Sequence, residues 1–116
     1  EQYISLDTAR MLKEASFDVP CRRHYTKSGS TWETVVPETN DESRDFTWFP
    51  CPTQALAARW LREVHKIHVS PDFNRKGWYY LIYDITNENR LDVSDSYKMS
   101  YEEALEAGLQ EAIKLI

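Results

Sequence analysis

Residues 100–116 read Ser-Tyr-Glu-Glu-Ala-Leu-Glu-Ala-Gly-Leu-Gln-Glu-Ala-Ile-Lys-Leu-Ile. Tyr101, Ala104, Leu105, Gly108, Leu109, Ala112, Ile113 and Ile116 recur at helical spacing, so on a helix they share one apolar face. Ser100 followed by Glu103 is a capping box. The serine oxygen takes one free amide at the helix start, and the glutamate reaches back to another. Glu102, Glu103 and Glu106 lie toward the positive end of the helix dipole, and Lys114 lies near the negative end. The segment carries no catalytic chemistry, so its expected role is to close a core. Gly108, which costs ~1 kcal/mol relative to alanine in a helix interior, is read as a point of close approach to a sheet beneath.

Upstream of this closing helix the chain alternates helices with hairpins. Ser5 or Asp7 caps a first helix with Leu6, Ala9, Leu12 and Ala15 on one face, and Val19 before Pro20 ends it. Cys21–Tyr25 and Thr31–Val36 flank a turn at Gly29 and read as a hairpin. Residues 38–45 are polar and acidic and are expected to form a solvated loop. Phe46-Thr47-Trp48-Phe49 is expected to be a short strand. Leu56, Ala57, Trp60, Leu61 and Val64 form the apolar face of a second helix capped by Thr53. A second hairpin begins at Ile67, turns at Asn74–Gly77 and returns through Trp78–Ile85, the best strand in the chain by residue type. Leu91–Val93 is a short edge strand.

The expected class is therefore α+β, in the order helix, hairpin, helix, hairpin, helix, with helices packed on one face of an antiparallel sheet. At 116 residues the chain has the length of a single domain. Ala9-Arg10-Met11-Leu12-Lys13-Glu14 echoes Ala58-Arg59-Trp60-Leu61-Arg62-Glu63. An internal duplication of 5–37 and 53–86, sealed by 100–116, is one reading of that echo, and chance recurrence of helix formers is the other.

Composition narrows function. Hydrophobic residues make up 41% and charged residues 28%, the balance of an ordinary folded domain. The net charge of -5 opposes duplex binding, which requires a clustered positive footprint. No apolar run reaches the ~18 residues of a membrane span. Glu1–Ile4 does not open on the basic and apolar pattern of a secretory leader. The two cysteines, Cys21 and Cys51, are too few for a disulfide framework, so reduced thiols are expected, with a single Cys21–Cys51 bridge as the alternative.

Each chemical candidate has a plainer competitor. Cys21 and His24 suggest a thiol and its base, but residues three apart on a regular strand point to opposite faces. His65-x-x-His68, with Cys51 or Asp72 as a third ligand, suggests a metal site, but a single loose pair lacks the two separated clusters of zinc patterns. Arg22, Arg23 and Lys27, with Trp32 across the hairpin, resemble in miniature a sheet that stacks bases and neutralises phosphate. The plainer account is a sheet edge blunted by cations. On the return arm of the second hairpin, Trp78, Tyr80 and Ile82 face one way, and Tyr79, Leu81, Tyr83 and Ile85 the other. Helices over only one side would leave a tyrosine-rich surface of the kind enriched at interfaces.

The stretches Pro52-Thr53 through Trp60-Leu61-Arg62-Glu63-Val64-His65-Lys66-Ile67-His68, and Ser100-Tyr101-Glu102-Glu103-Ala104-Leu105-Glu106-Ala107-Gly108, resemble a group of small uncharacterised proteins. That group is carried by prophages and other mobile elements of gut bacteria. The resemblance covers the second half of the chain and, more loosely, Tyr3–Leu6. It implies a cytoplasmic protein of a bacterial cell or its phage, and brings no activity, ligand or catalytic residue.

The expectation is thus a non-catalytic interaction protein with no cofactor and no metal. It would bind a protein partner or a second copy of itself through a sheet edge or a surface bearing Tyr79, Tyr83 and Trp32. A nucleic-acid-binding module using Arg22, Arg23, Lys27 and Trp32 is the alternative, and a cysteine-dependent enzyme comes third.

Overall fold

The computed structural model describes residues 2–38 and 48–116. The acidic stretch after Glu38 and the beginning of the expected Phe46–Phe49 strand lie outside the described residues. The class is α+β, with three helices and two three-stranded antiparallel sheets. The chain divides into two compact units, Glu1–Thr53 and Gln54–Ile116.

In the first unit, α1 (Leu6–Glu14) is capped by Ser5, whose side chain accepts from the Thr8 amide. It ends where Ser16 takes a left-handed backbone. The sheet comprises β1 (Cys21–Tyr25), β2 (Thr31–Glu38) and β3 (Phe49–Pro50), in the order β2-β1-β3. Helix α1 packs on β3. Ile4, Ala9, Leu12 and Phe17 are buried in this unit. Two steps along β1, Cys21 to Arg23, correspond to five along β2, Glu38 to Glu33. The surplus residues bulge outward, and Val35 is 91% exposed.

The second unit contains α2 (Gln54–Val64), β4 (Ile67–Asn74), β5 (Gly77–Asp84), β6 (Asn89–Val93) and α3 (Tyr101–Lys114). Its sheet has the order β4-β5-β6. Both units run helix, hairpin, third strand. The third strand joins the first arm of the hairpin in one unit and the second arm in the other, so the two sheets differ in topology.

The capping box forms as the sequence implies. The Glu103 amide donates to Ser100 Oγ at 3.1 Å, and the Met99 amide donates to Glu103 Oε1 at 3.1 Å. Helix α3 lies on β4 and β5 and also meets α2. Ala104, Leu105, Gly108, Leu109, Ala112 and Ile113 are buried beneath it, whereas Tyr101 and Ile116 at its two ends are exposed.

One expectation for α2 changes, and one buried polar residue lies outside the apolar spacing. Val64 is 57% exposed, because the helix stops there and Lys66 turns the chain away through a left-handed conformation. Gln54 is buried instead, and its amide nitrogen donates to the Glu102 carbonyl and to Glu106 Oε1, both at 2.9 Å. These bonds satisfy a buried polar group and join α2 to the first turns of α3.

The close approach at Gly108 is present. A Cβ there would lie 2.5 Å from Val69 Cγ1 and 3.0 Å from Tyr80 Cβ. Gly108→Ala gains ~1 kcal/mol of helix propensity but forces apart a packed interface, at about 1–3 kcal/mol. Since the Tyr80 contact is at the root of its side chain, strain is expected to win, and urea denaturation should show a net loss of about 1 kcal/mol. Leu109→Ala, at a fully buried position, should lose about 2–5 kcal/mol in the same measurement.

Candidate interaction surface

The register of β4 against β5 determines which side chains share a face. Ile67, Val69, Tyr80 and Ile82 project toward the helices and are buried. His68, Ser70 and Asp72 lie opposite Tyr83, Leu81 and Tyr79 on the other face. Val93 and Arg90 of β6 extend that face, through their pairing with Leu81 and Tyr83. Tyr79 and Tyr83 are thus brought onto one surface with Leu81 between them, all three half-buried among their strand neighbours. Tyr83 stacks on His68 at 6.5 Å between ring centroids, and Tyr79 meets Tyr97 edge-on at 6.0 Å. Burial, and then the Asp72 carboxylate, push the Tyr79 phenol above its ordinary pKa. Burial and the Arg62 guanidinium hold His68 below its ordinary value, which favours the uncharged ring at neutral pH.

The edges of this sheet are guarded. The Ile85 amide donates to the Lys66 carbonyl, so the ladder to β5 runs through Lys66, His68, Ser70, Asp72 and Asn74. Pro71 and Phe73 therefore turn their backbone nitrogens outward. Pro71 has no N–H to offer, and the Phe73 amide donates to Asp72 Oδ1 at 2.8 Å. On the opposite edge the Val93 amide donates to Asp92 Oδ1 at 2.8 Å. These local bonds occupy donors that an added strand would need. Neither device is evident from residue pattern alone, because it depends on which amides the ladder leaves facing outward.

Trp32 belongs to the first unit's sheet. It stacks on His24 at 5.1 Å and meets Trp48 edge-on at 4.2 Å. Arg23 lies 4.4 Å above the Tyr3 ring and pairs with Glu33 at 3.9 Å. Its neighbour Arg22, exposed, donates to the Thr34 carbonyl. Lys27 is exposed near the hairpin turn.

The thiol and imidazole groups are placed differently from the regular-strand expectation. Cys21 and His24 are both buried, since the irregular register at Cys21 relieves strict alternation. The Cys21 thiol and the His24 imidazole do not pair with each other. His24 Nε2 lies 2.8 Å from the Cys21 carbonyl oxygen, which can only accept, so that nitrogen carries a proton. The Cys21 thiol is directed to the Val19 carbonyl instead. Neither cysteine is in a disulfide. His65 packs edge-on against Trp60, and His68 lies on the sheet face beside Tyr83. Among the described residues, no three metal-ligating side chains gather, and no helix is long and apolar enough to cross a membrane.

No family model matches the chain, and comparisons with curated proteins and with solved structures find no match either.

Burial, reinforced by Cys51, pushes the Cys21 thiol from 9.0 up to about 12. A raised thiol pKa keeps the native state protonated while the unfolded chain ionises. The associated stability is fully present below pH 9 and is lost as pH climbs from 9 toward about 12. Denaturation midpoints should fall across that interval. Iodoacetamide should label native Cys21 far more slowly than the unfolded chain, and rapid native labelling would show an activated thiol.

Proposed function

We propose that this chain is a non-catalytic interaction module that binds another protein through the β4–β5–β6 face bearing Tyr79, Leu81 and Tyr83. The observation carrying this reading is the pairing of that face with guarded edges. Large amphipathic rings stand on the side opposite the helices, while Pro71 and the satisfied amides of Phe73 and Val93 discourage strand addition. Tyrosine supplies broad contact area at little entropic cost. The surface therefore suits docking by its face more than by its edge.

A non-catalytic role is supported by the buried, proton-retaining Cys21 and by a His24 turned to a backbone carbonyl. The resemblance to prophage and mobile-element proteins suggests an accessory factor acting in a bacterial cytoplasm. The nucleic-acid reading at the first hairpin has less support, because Arg23 is paired with Glu33 and Trp32 is packed against His24 and Trp48.

Immobilised wild-type chain should retain a specific protein from bacterial lysate, and Tyr79→Ser/Tyr83→Ser should lose it while keeping its circular-dichroism spectrum. Equal retention by the double variant would remove the face from the proposal. Retention of a single-stranded oligonucleotide at ~50 mM salt, lost as salt rises, would instead favour the nucleic-acid reading.

A further inference from the structure

We infer that the partner of the Tyr79–Tyr83 face is an amphipathic helix of another protein, apolar along its middle and acidic at both ends. Given that this face is the docking surface proposed above, on which the inference rests, its charge identifies what docks.

The strand register decides which charges the face carries. Lys76 Nζ lies over the Tyr97 ring, 5.9 Å from its centroid, and Tyr97 meets Tyr79 edge-on. A cation therefore stands at the Tyr79 end. Arg90 pairs with Tyr83 across β5 and β6, so the two share one side of the sheet, and Arg90 is exposed. His68 stacks on Tyr83. After burial, it is the nearby Arg62 guanidinium that disfavours charge on that imidazole. Two further cations therefore stand at the Tyr83 end. Between the ends lie Leu81 and its strand partner Val93, which is 42% exposed.

Among the described residues, the one carboxylate that the register of these strands puts on this face is Asp72. It is already engaged by the Phe73 amide and the Tyr79 hydroxyl. The other two aspartates of the strands lie on the helix-facing side, where Asp84 pairs with Ile67 and Asp92 with Ile82. On that side burial, and then the carboxylates of Asp92, Glu111 and Asp95, push the Tyr80 phenol up to about 12. Lys98 goes with them through its bridge to Trp78. In a chain of net charge -5, the open face is thus the cationic one.

Charge and spacing select the occupant. Tyr79 and Tyr83 are four residues apart, about 13 Å along a strand, and the cations flank them. A complementary partner carries negative charge at two places at least that far apart, with apolar contact between. An extended segment finds its backbone partners at a sheet edge, and the edges here are guarded. A segment lying on the face must satisfy its own backbone, as a helix does. A helix covers about 13 Å in roughly nine residues. Helices already cover the reverse of this sheet, and a helix on the open side completes a layered arrangement. A nucleic acid fits less well. Its phosphates repeat along the strand, whereas these cations are confined to two ends and Asp72 stands beside Tyr79.

Selection of random peptides displayed on phage, each ~18 residues or about five helical turns, tests this against the full chain. Peptides enriched on the wild-type chain but not on Tyr79→Ser/Tyr83→Ser should carry Asp or Glu at two positions roughly nine or more residues apart. The residues between should place an apolar stripe at helical spacing. One such peptide, made synthetically, should gain helical circular dichroism on binding. Lys76→Glu/Arg90→Glu, at exposed positions, should bind it at least ~10-fold more weakly and should select basic peptides instead. Enrichment without acidic residues, no gain of helix on binding, or equal affinity for the charge-reversed variant would overturn the inference. So would failure to enrich any peptide over the Tyr79→Ser/Tyr83→Ser variant. Binding of a single-stranded oligonucleotide, abolished by Lys76→Glu/Arg90→Glu, would assign the face to nucleic acid instead. Lysate protein still lost by the tyrosine variant would keep the face as a docking surface under any of the first four results, so the two readings fail separately.

Discussion

The second unit depends on how closely α3 lies on its sheet. At Gly108 the helix backbone comes so near Val69 and Tyr80 that a methyl group does not fit. That approach seats Leu105, Leu109 and Ile113 against the helix-facing side of β4 and β5. The chain accepts a residue that weakens an isolated helix because the packed interface gains contact along its length. The Ser100–Glu103 capping box and the Gln54 bonds then secure the same helix at its start.

With one side of the sheet committed to α3, the chemistry of the other side is set by register. Strict alternation places Tyr79, Leu81 and Tyr83 together, away from the helix. Such a three-stranded sheet has two open edges, and an apolar face beside open edges invites unwanted strand pairing. Here proline and two aspartates limit that hazard with short-range means. The sheet thus discourages backbone-mediated strand pairing and presents side chains on its open face.

The first unit solves a different packing problem. A fully buried imidazole is tolerated because Nε2 donates to the Cys21 carbonyl and because Trp32 and Trp48 cover the ring. The features that look most chemical in the sequence, a thiol and a histidine three residues apart, are thereby absorbed into the core. Burial raises the thiol pKa, the reverse of what nucleophilic catalysis requires.

Periodicity and capping determined much of this protein from the sequence alone. The order of helices and hairpins, the turn at Asn74–Gly77, the buried face of α3 and the close approach at Gly108 all follow from local spacing. These features are set by neighbours within a few residues, so they are legible without tertiary knowledge. The candidate surface was only half legible: alternation grouped Tyr79 with Tyr83, but Trp32 belongs to another sheet and the flanking Lys76 and Arg90 carried no signal. Only the tertiary structure decided that the strands form two sheets of different topology, that Gln54 is buried while Val64 is not, and that Lys76 and Arg90 stand at opposite ends of the tyrosine face. Each of these depends on residues distant in sequence meeting in space, or on which backbone groups a particular ladder leaves unpaired, and neither is encoded in the spacing of a single segment.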